Sequence, residues 1–338
     1  MKRIYRQCLV GAILSAAPVL AMAREVVPTI NTIRGTSPDD ALNRALARYG
    51  NMRVTNGTVV PQGGGSAFVK LMVDLGSSYG LCGGTLIDPT LVVTASHCLY
   101  DRKTRGYKSP SDVYVYYGDV AGNRNYVQPT QVIHHPDYNT GTLRNDITLL
   151  RIPKLNLKKG VVETISLYND SIQPKTPMRI YGWGLTSTHG SSASPTLLTQ
   201  TVYISYPNDC RVIESLYNSA NGPQICANNN YNVGVDVCSG DSGTGTIIYG
   251  SNGVPYLAGL VSYGTDANGG LTCGEPGSFG MYTNVYYYRD WIESSSGIKL
   301  SVGPVGDSQT ATPTTTVTPP VPTATTSKPS CYFLFFCF

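Results

Sequence analysis

The sequence predicts an all-β fold, and two observations carry this prediction. First, short β-prone segments recur between residues 54 and 298, among them AFVKLMVDL, TLVVTA, VYVYYG, ITLLRI, MRIYGWG, TIIYG and LAGLVSYG. Gly, Pro, Asn and Asp separate these segments at short intervals, which is typical of a barrel or sandwich and not of βαβ units. Second, only 14% of the residues are charged, whereas 36 are Gly and 24 are Tyr, a composition that favours a loop-rich β protein.

One helix is predicted near the end of this region, in NVYYYRDWIESS at residues 284–295. Val285, Tyr288, Trp291 and Ile292 recur there at helical spacing.

The chain has 338 residues, and since all-β barrel domains commonly reach roughly 200–250 residues, we expect one large domain with appendages. The net charge of +4 is small and dispersed, so a nucleic-acid partner is not expected.

The first 23 residues have the three parts of a secretory signal peptide. MKRIYRQ is cationic, CLVGAILSAAPVLA is apolar, and AMA offers small residues before a cut after Ala23. The alternative is a buried N-terminal helix, which does not explain the three-part pattern. No later apolar run reaches the length that spans a bilayer, so the sequence predicts a secreted protein without a transmembrane anchor.

Cysteines are expected to form disulfides. Removal of the signal peptide removes Cys8 and leaves eight cysteines, at positions 82, 98, 210, 226, 238, 273, 331 and 337. An even number in an exported chain favours disulfides over metal binding, and the adjacent His97 and Cys98 alone make a poor zinc site. We therefore expect no metal and no cofactor, while spacing alone does not choose the pairs.

Two further segments flank the β-rich region. Residues 24–53 mix charged residues with helix formers, contain no cysteine and end in NMR. Residues 299–338 are rich in Thr and Pro, cannot bury enough apolar surface to fold, and are predicted to be a disordered tail. The tail ends in CYFLFFCF, which either docks the protein to a surface or a sorting partner or is incidental. Cys331 and Cys337 pair with each other or with another chain.

The stretch DVCSGDSGTG, residues 236–245, contains Ser242 directly after Asp241 and six residues after Asp236, with glycines at positions 240 and 243. Serine is a poor nucleophile unless a base takes its proton and a third group orients the base. Of four histidines, only His97 ends an apolar strand, in LVVTASHCLY. Asp146 opens another apolar strand, in RNDITLLRI, where an unpaired buried carboxylate would be costly. Taken singly, Ser242 could be a plain turn serine and His97 a core histidine; together with Asp146 they favour a nucleophilic site.

Over residues 54–298 the chain resembles the trypsin-like serine proteases of the chymotrypsin fold. The matching stretches occur in the family's order: RVTNG, CGGTLIDPTLVVTASHC, NDITLLRI, YGWG, DVCSGDSG, LVSYG and GMYTNVYYYRDWI. The resemblance implies two packed six-stranded antiparallel β-barrels with a C-terminal helix and the active site between the barrels. It also implies a secreted serine endopeptidase whose partners are protein and peptide substrates and proteinaceous protease inhibitors.

The resemblance assigns the catalytic roles. Ser242 would be the nucleophile, His97 the general base and then acid, and Asp146 the residue that orients and stabilises the imidazolium. The backbone N–H groups of Gly240 and Ser242 would form the oxyanion hole. Glycine at position 240 would give the backbone the freedom to aim its N–H group at the developing oxyanion.

Substrate specificity is implied in the same way. Asp236 would lie at the base of the primary specificity pocket, where a carboxylate selects Arg or Lys. Ser262, Gly264 and Gly280 would form walls that leave room for a long side chain. Tyr263 replaces the family's usual tryptophan, and the 264–273 segment is longer than usual. If that segment closes the pocket, the enzyme has the same chemistry with another specificity.

The resemblance also implies a zymogen. Cleavage after Arg53 would free Val54, whose new ammonium group would form a buried ion pair with Asp241. Residues 24–53 would then be an activation propeptide. Before cleavage Asp241 would lack its partner, and the oxyanion loop would be disordered or misplaced.

Three disulfides follow from the resemblance: Cys82–Cys98, Cys210–Cys226 and Cys238–Cys273. The family usually continues GDSG with Gly-Pro, whereas this chain has Thr244 and Gly245. Sequons at Asn56 and Asn169 would carry glycans only in a host that glycosylates.

A rival interpretation of another class is a non-catalytic protease homologue that acts as a binding or adhesion protein; such homologues usually have a broken triad.

Overall fold

The computed structural model describes residues 31–33, 37–40, 57–118, 125–184, 194, 196–228, 235–268, 270 and 274–304. The predicted signal peptide, the Arg53–Val54 bond and Cys273 lie outside the described residues. So do Asn56 and the whole unit formed by residues 305–338.

The described chain is built mainly from short strands. In chain order they are β1 (Asn31–Ile33), β2 (Thr58–Val59), β3 (Phe68–Asp74), β4 (Tyr79–Asp88), β5 (Leu91–Thr94), β6 (Tyr100–Asp101), β7 (Gly106–Tyr107), β8 (Val113–Tyr116), β9 (Tyr126–Val127), β10 (Gln131–His134), β11 (Thr148–Arg151), β12 (Leu167–Tyr168), β13 (Pro177–Gly182), β14 (Leu198–Ile204), β15 (Gln224–Asn228), β16 (Gly245–Tyr249), β17 (Pro255–Thr265), β18 (Phe279–Asn284) and β19 (Val302–Gly303). Short 3-10 turns occur at Ser96–Cys98 and Pro110–Asp112, and helices at α1 (Pro207–Cys210) and α2 (Arg289–Ser296).

Two large sheets divide these strands. The first has the order β10-β11-β5-β4-β3-β8-β9, and β1 pairs with β4. In the second, the order β16-β13-β14-β15-β18-β17 closes on itself because β16 also pairs with β17. The prediction of an all-β fold with two β-barrels and a C-terminal helix is confirmed. The six strands of the second barrel form a closed ring, whereas the described strands of the first form an open sheet.

Side-chain alternation in the strands explains how the two sheets pack. In β3, Val69 and Leu71 point into the apolar core of the first sheet. Phe68 and Met72, on the opposite face, join a second cluster that includes Trp183 from the region of the second sheet. One strand therefore contributes both to its own core and to the contact between the two sheets, which is where the site described below lies.

The C-terminal helix begins later than the sequence predicts. Strand β18 runs through Asn284, so the segment that follows it is a turn, and α2 spans Arg289–Ser296. Ile292 is completely buried, and Gly297 ends the helix with a φ of 71°, the left-handed conformation that glycine adopts without strain. No helix among the described residues is long and apolar enough to cross a membrane.

The packed unit extends beyond the predicted boundary at residue 298. Leu300 is buried, and β19 pairs in parallel with β12 through Leu167–Val302 and Tyr168–Gly303. The compact unit runs to Pro304. The prediction that the disordered tail starts at residue 299 therefore needs correction, because the backbone groups of β19 find partners on a strand that is remote in sequence.

Candidate active site

Two adjacent strands bring His97 and Asp146 together. Strand β5 ends at Thr94 and leads into the 3-10 turn that carries His97, while Asp146 lies just before β11. These strands pair antiparallel, with Thr94 opposite Thr148. Residues at the end of one strand and the start of its antiparallel neighbour lie side by side, so the register of the sheet places the carboxylate next to the imidazole.

Asp146 forms two separate contacts with His97. Nδ1 of His97 lies 2.7 Å from Oδ2 of Asp146, and the backbone N–H of His97 donates to Oδ1 at 2.9 Å. The hydroxyl of Ser262 also donates to Oδ2, at 2.6 Å, and Thr283 Oγ1 donates to the carbonyl oxygen of Asp146 at 2.9 Å. The fully buried carboxylate is thus held by several donors, as a charge out of water requires.

The other ring nitrogen of His97 is available for chemistry. Nε2 is buried and has no hydrogen-bond partner among the described residues. Because Nδ1 faces a carboxylate, it is the nitrogen that holds the proton, which leaves Nε2 as a proton acceptor. A hydrogen bond between Nε2 and Ser242 Oγ is not formed in this structure, and such bonds are often long until substrate binds.

Ser242 lies in a tight turn against both sheets. Its carbonyl oxygen accepts from the N–H of Gly83 at 2.7 Å and lies 3.6 Å from Sγ of Cys98, the neighbour of His97. On its other side, the N–H of Gly243 donates to the carbonyl of Val261 at 2.8 Å. The turn is therefore tied to β4 on one flank and to β17 on the other.

Two glycines around Ser242 have positive φ angles. Gly240 has a φ of 100° and Gly243 a φ of 78°, and L residues rarely adopt either value. A Cβ on Gly243 would also collide with the side chain of Thr94 and the carbonyl of Gly83. The predicted requirement for glycine at position 240 agrees with this backbone conformation.

The carboxylate of Asp241 is fully buried and already has hydrogen-bond partners. Oδ1 accepts from the N–H of Gly184 at 2.7 Å, and Oδ2 accepts from the N–H of Cys238 at 2.8 Å. Burial raises its pKa to about 7, although the two backbone donors lower it; the nearby carboxylate of Asp236 raises it further. Two backbone N–H groups thus satisfy the carboxylate in this structure. No cation among the described residues pairs with it.

Asp236 is also buried, with 3% of its surface exposed. Oδ1 accepts from the N–H of Val237 at 2.8 Å, whereas Oδ2 has no partner with good hydrogen-bond geometry among the described residues. Burial raises the pKa of Asp236 to about 6; the Ser278 hydroxyl is near enough to lower it, as are the N–H groups of Val237 and Gly274. A buried carboxylate without a cation is suited to receive one from a ligand.

The three residues predicted to line the pocket differ in their roles. Gly264 and Gly280 lie opposite each other in the pairing of β17 with β18. The Ser262 side chain is instead turned toward Asp146, as described above, so its hydroxyl is engaged in orienting the carboxylate.

Sequence reasoning missed Tyr282, which lies under one of these walls. A Cβ on Gly280 would collide with the Tyr282 ring and hydroxyl. The hydroxyl is buried without a hydrogen-bond partner among the described side chains, and burial raises its pKa well above the usual value, with smaller effects from Asp236 and Asp241. Residues two apart share one face of a strand, so the alternation in GMYTN could have indicated the contact.

Two of the three expected disulfides are formed, Cys82–Cys98 and Cys210–Cys226. Cys238 is also disulfide-bonded, and its expected partner Cys273 lies outside the described residues. The first bridge joins β4 to the turn that carries His97 and so restrains the position of the imidazole. No group of three or more His, Cys, Asp or Glu side chains in the described ranges could hold a metal ion.

The chain is similar to known proteases over most of the described region. The family described as Trypsin matches residues 55–292. The anionic trypsin of Canis lupus familiaris is 33% identical over 238 residues, which are 67% of this chain and 84% of the relative. The trypsin of Sus scrofa is 32% identical over 228 residues, 67% of this chain and 90% of the relative. Serine protease 1 of Homo sapiens is 31% identical over 237 residues, 67% and 84% of the two chains.

Proposed function

This chain belongs to the trypsin family of serine proteases, and on that premise we propose that it is a secreted endopeptidase that cleaves after Arg or Lys. We further propose that it is made as a zymogen and activated by cleavage after Arg53. The observation that supports the specificity is the buried Asp236 carboxylate, which pairs with no cation in the described ranges and lies six residues before Ser242 in the chain.

In the proposed reaction, Ser242 Oγ attacks the carbonyl carbon of the scissile bond while Nε2 of His97 takes the hydroxyl proton. The N–H groups of Gly240 and Ser242 stabilise the negative oxygen of the tetrahedral intermediate. His97 then gives its proton to the leaving amine, which leaves an acyl-enzyme that water hydrolyses with the same base. The two contacts between Asp146 and His97 support this assignment, because they hold the imidazole in the required tautomer.

Specificity is proposed to come from charge pairing inside the pocket. A substrate Arg or Lys would place its cation against Asp236, and both charges would leave water together. Within the described residues the Val237 N–H is the one well-aligned donor to this carboxylate, and a substrate cation would add a charged partner. An apolar substrate side chain would leave this carboxylate uncompensated, which disfavours its binding.

Activation is proposed to depend on Asp241. Cleavage after Arg53 would create an ammonium group on Val54, and the carboxylate is buried with backbone donors but no cation among the described residues. The new ion pair would ionise Asp241 and stabilise the turn from Gly240 to Ser242. Arg53 itself fits the proposed specificity, so activation could proceed autocatalytically, with a rate that accelerates as product accumulates.

A panel of peptides tests the proposal most directly. The peptides differ only at the residue before the scissile bond, and the enzyme is the chain cut after Arg53. We expect cleavage after Arg and Lys, and little after Leu, Phe or Glu. An active-site phosphonate should label Ser242 in the same preparation, whereas a non-catalytic homologue would remain unlabelled. Equal cleavage of all peptides would leave the protease assignment intact but reject the specificity.

A further inference from the structure

Strand β1 belongs to the segment predicted as a propeptide, and it pairs with the catalytic unit. Asn31 lies opposite Leu81, Thr32 opposite Gly80, and Ile33 opposite Tyr79, in an antiparallel register. The sequence gives no sign of this strand.

Apart from β1, no strand in the described part of the chain covers this edge of β4. On one side, Tyr79–Leu81 pair with β3. On the other side, β5 pairs with β4 only from Thr85 onward. Strand β1 therefore pairs with a stretch of β4 that no other described strand uses on this side, and an open edge of this kind accepts an extended peptide readily.

This edge runs toward the nucleophile. Leu81 precedes Cys82, whose disulfide reaches the neighbour of His97, and Gly83, whose N–H donates to the carbonyl of Ser242. Because the pairing is antiparallel, Asn31 is the end of β1 that lies nearest to Gly83. The Ser242 turn is tied to β17, one wall of the proposed specificity pocket, on its opposite flank. A bound polypeptide that enters at β17 would therefore leave along β4.

A second contact holds the same segment. The hydroxyl of Tyr116, in β8, donates to Oδ1 of Asp39 at 2.7 Å. Residues 38–40 are helical, and the Asp40 N–H donates to the hydroxyl of Ser37 at 3.0 Å. Tyr116 is itself buried, with 4% of its surface exposed, so Asp39 bonds to a group that the core holds in place. The segment from Asn31 to Asp40 is thus attached at two separated points.

From these contacts we propose that the edge Tyr79–Leu81 is a docking surface for residues 31–40 of this chain and that the cut propeptide remains bound there. This inference rests on the proposed cleavage after Arg53. Backbone pairing is largely independent of sequence, so a polypeptide substrate would use the same edge beyond its scissile bond. The bound propeptide then competes with polypeptides, whereas a small substrate that ends at the scissile bond is not affected.

Retention of the propeptide can be measured without catalysis. Full-length protein carrying Ser242→Ala, with Arg34, Arg44 and Arg48 replaced by Gln so that added trypsin leaves the propeptide intact and cuts after Arg53, should keep the propeptide fragment at one copy per enzyme in native mass spectrometry. Asp39→Ala or Tyr116→Phe should weaken retention about tenfold, since each removes a hydrogen bond to a charged group. The variant with both substitutions should retain the fragment as well as either single variant does, because both substitutions remove the same hydrogen bond. Immediate loss of the fragment from the parent protein would overturn the proposal.

Competition gives the second test. A synthetic peptide of residues 24–53, with its five arginines replaced by glutamine so that the enzyme does not cleave it, is added to the cut, dialysed enzyme with two substrates, one with a chromophore directly after Arg and one with four residues after Arg. The peptide should inhibit cleavage of the longer substrate at least tenfold more strongly than cleavage of the shorter one. Replacing Thr32 and Ile33 by proline in the peptide should abolish the difference, because proline has no N–H to pair. Equal inhibition of both substrates would contradict the docking surface. An enzyme that cleaves neither substrate would instead reject the proposed function, and the retention test above would still decide the docking.

Discussion

Asp146 holds His97 by both its ring and its backbone. Oδ2 lies 2.7 Å from Nδ1, and Oδ1 accepts the backbone N–H at 2.9 Å. A single carboxylate thereby sets the direction of the ring and the position of the turn that carries it. The Ser262 hydroxyl donates to the same Oδ2 oxygen, so the orientation of the imidazole depends on a residue from the second barrel.

Removal of the nucleophile or the base should abolish turnover while the fold persists. We expect Ser242→Ala and His97→Ala each to lower kcat by about 10⁵- to 10⁶-fold, because the two act as a unit. Steady-state kinetics with an Arg peptide measures the loss. The same melting temperature in all three proteins serves as the control for folding, and near-normal turnover in either variant would refute the assignment.

Asp236→Ser should change specificity more than catalysis. A lost buried charge pair is worth roughly 2–5 kcal/mol, so kcat/KM for Arg and Lys peptides should fall tens- to thousands-fold. For an apolar peptide the loss should be small, since no cation is present to pair. Measuring kcat/KM for both peptides on each enzyme checks this, and an unchanged preference for Arg would be the contrary result.

Specificity should also depend on pH. Burial raises the pKa of Asp236 to about 6, so the carboxyl is ionised above that pH and neutral below it. Only the ionised form attracts a substrate cation. The ratio of kcat/KM for an Arg peptide to that for a Leu peptide should therefore fall by up to tenfold per unit as pH drops below about 6. The ratio cancels any pH effect on the chemical steps that both substrates share. In Asp236→Ser the ratio should not vary with pH.

Asp241→Asn should separate cleavage from activation. The variant can be cut after Arg53 by added trypsin, as N-terminal sequencing would show, yet it should remain largely inactive because the Val54 ammonium has no carboxylate to meet. Full activity of the cut variant would exclude the proposed ion pair. Asp236→Ser, by comparison, should activate poorly alone but normally when trypsin is added.

The uncut chain should lose stability as pH rises. The folded-state pKa of Asp241 is about 7, above its ordinary value of 3.8, so the folded state binds this proton more tightly than the unfolded state. The resulting stability is complete below about pH 4 and is lost as pH rises through 7, by about 4 kcal/mol for the full shift. Urea unfolding of parent and Asp241→Asn chains from pH 4 to 8 should show the difference, and parallel profiles would contradict it.

Two truncations test where the folded unit ends. Ending the chain after Pro304 should leave the melting temperature and kcat/KM unchanged. Ending it after Gly297 removes β19 and the buried Leu300. It also removes the Lys299 ammonium and the Leu300 N–H that lower the pKa of Glu293 to about 2. We expect the shorter chain to melt roughly 5–10 °C lower. Equal melting of both truncations would show that β19 adds no stability.

The sequence by itself determined the fold class, the order of the motifs and the identity of the candidate catalytic residues. Each of these follows from patterns between residues that are close in sequence. The patterns are alternation in the strands, apolar segments that end at His97 or begin at Asp146, and the small residues around Ser242. The family resemblance implied that the backbone at Gly240 needs the freedom of glycine, and this residue has a positive φ.

Tertiary structure alone decided the contacts between distant residues. Ser262 reaches Asp146 across 116 positions, and Thr283 reaches it across 137. Strand β19 belongs to the folded unit because it pairs with the edge of β12. Strand β1 could not be predicted from the sequence, because its partner in β4 lies about 50 residues away. The physical reason is that backbone N–H and C=O groups pair with whichever edge the fold leaves open, and a local pattern does not say which edge that will be.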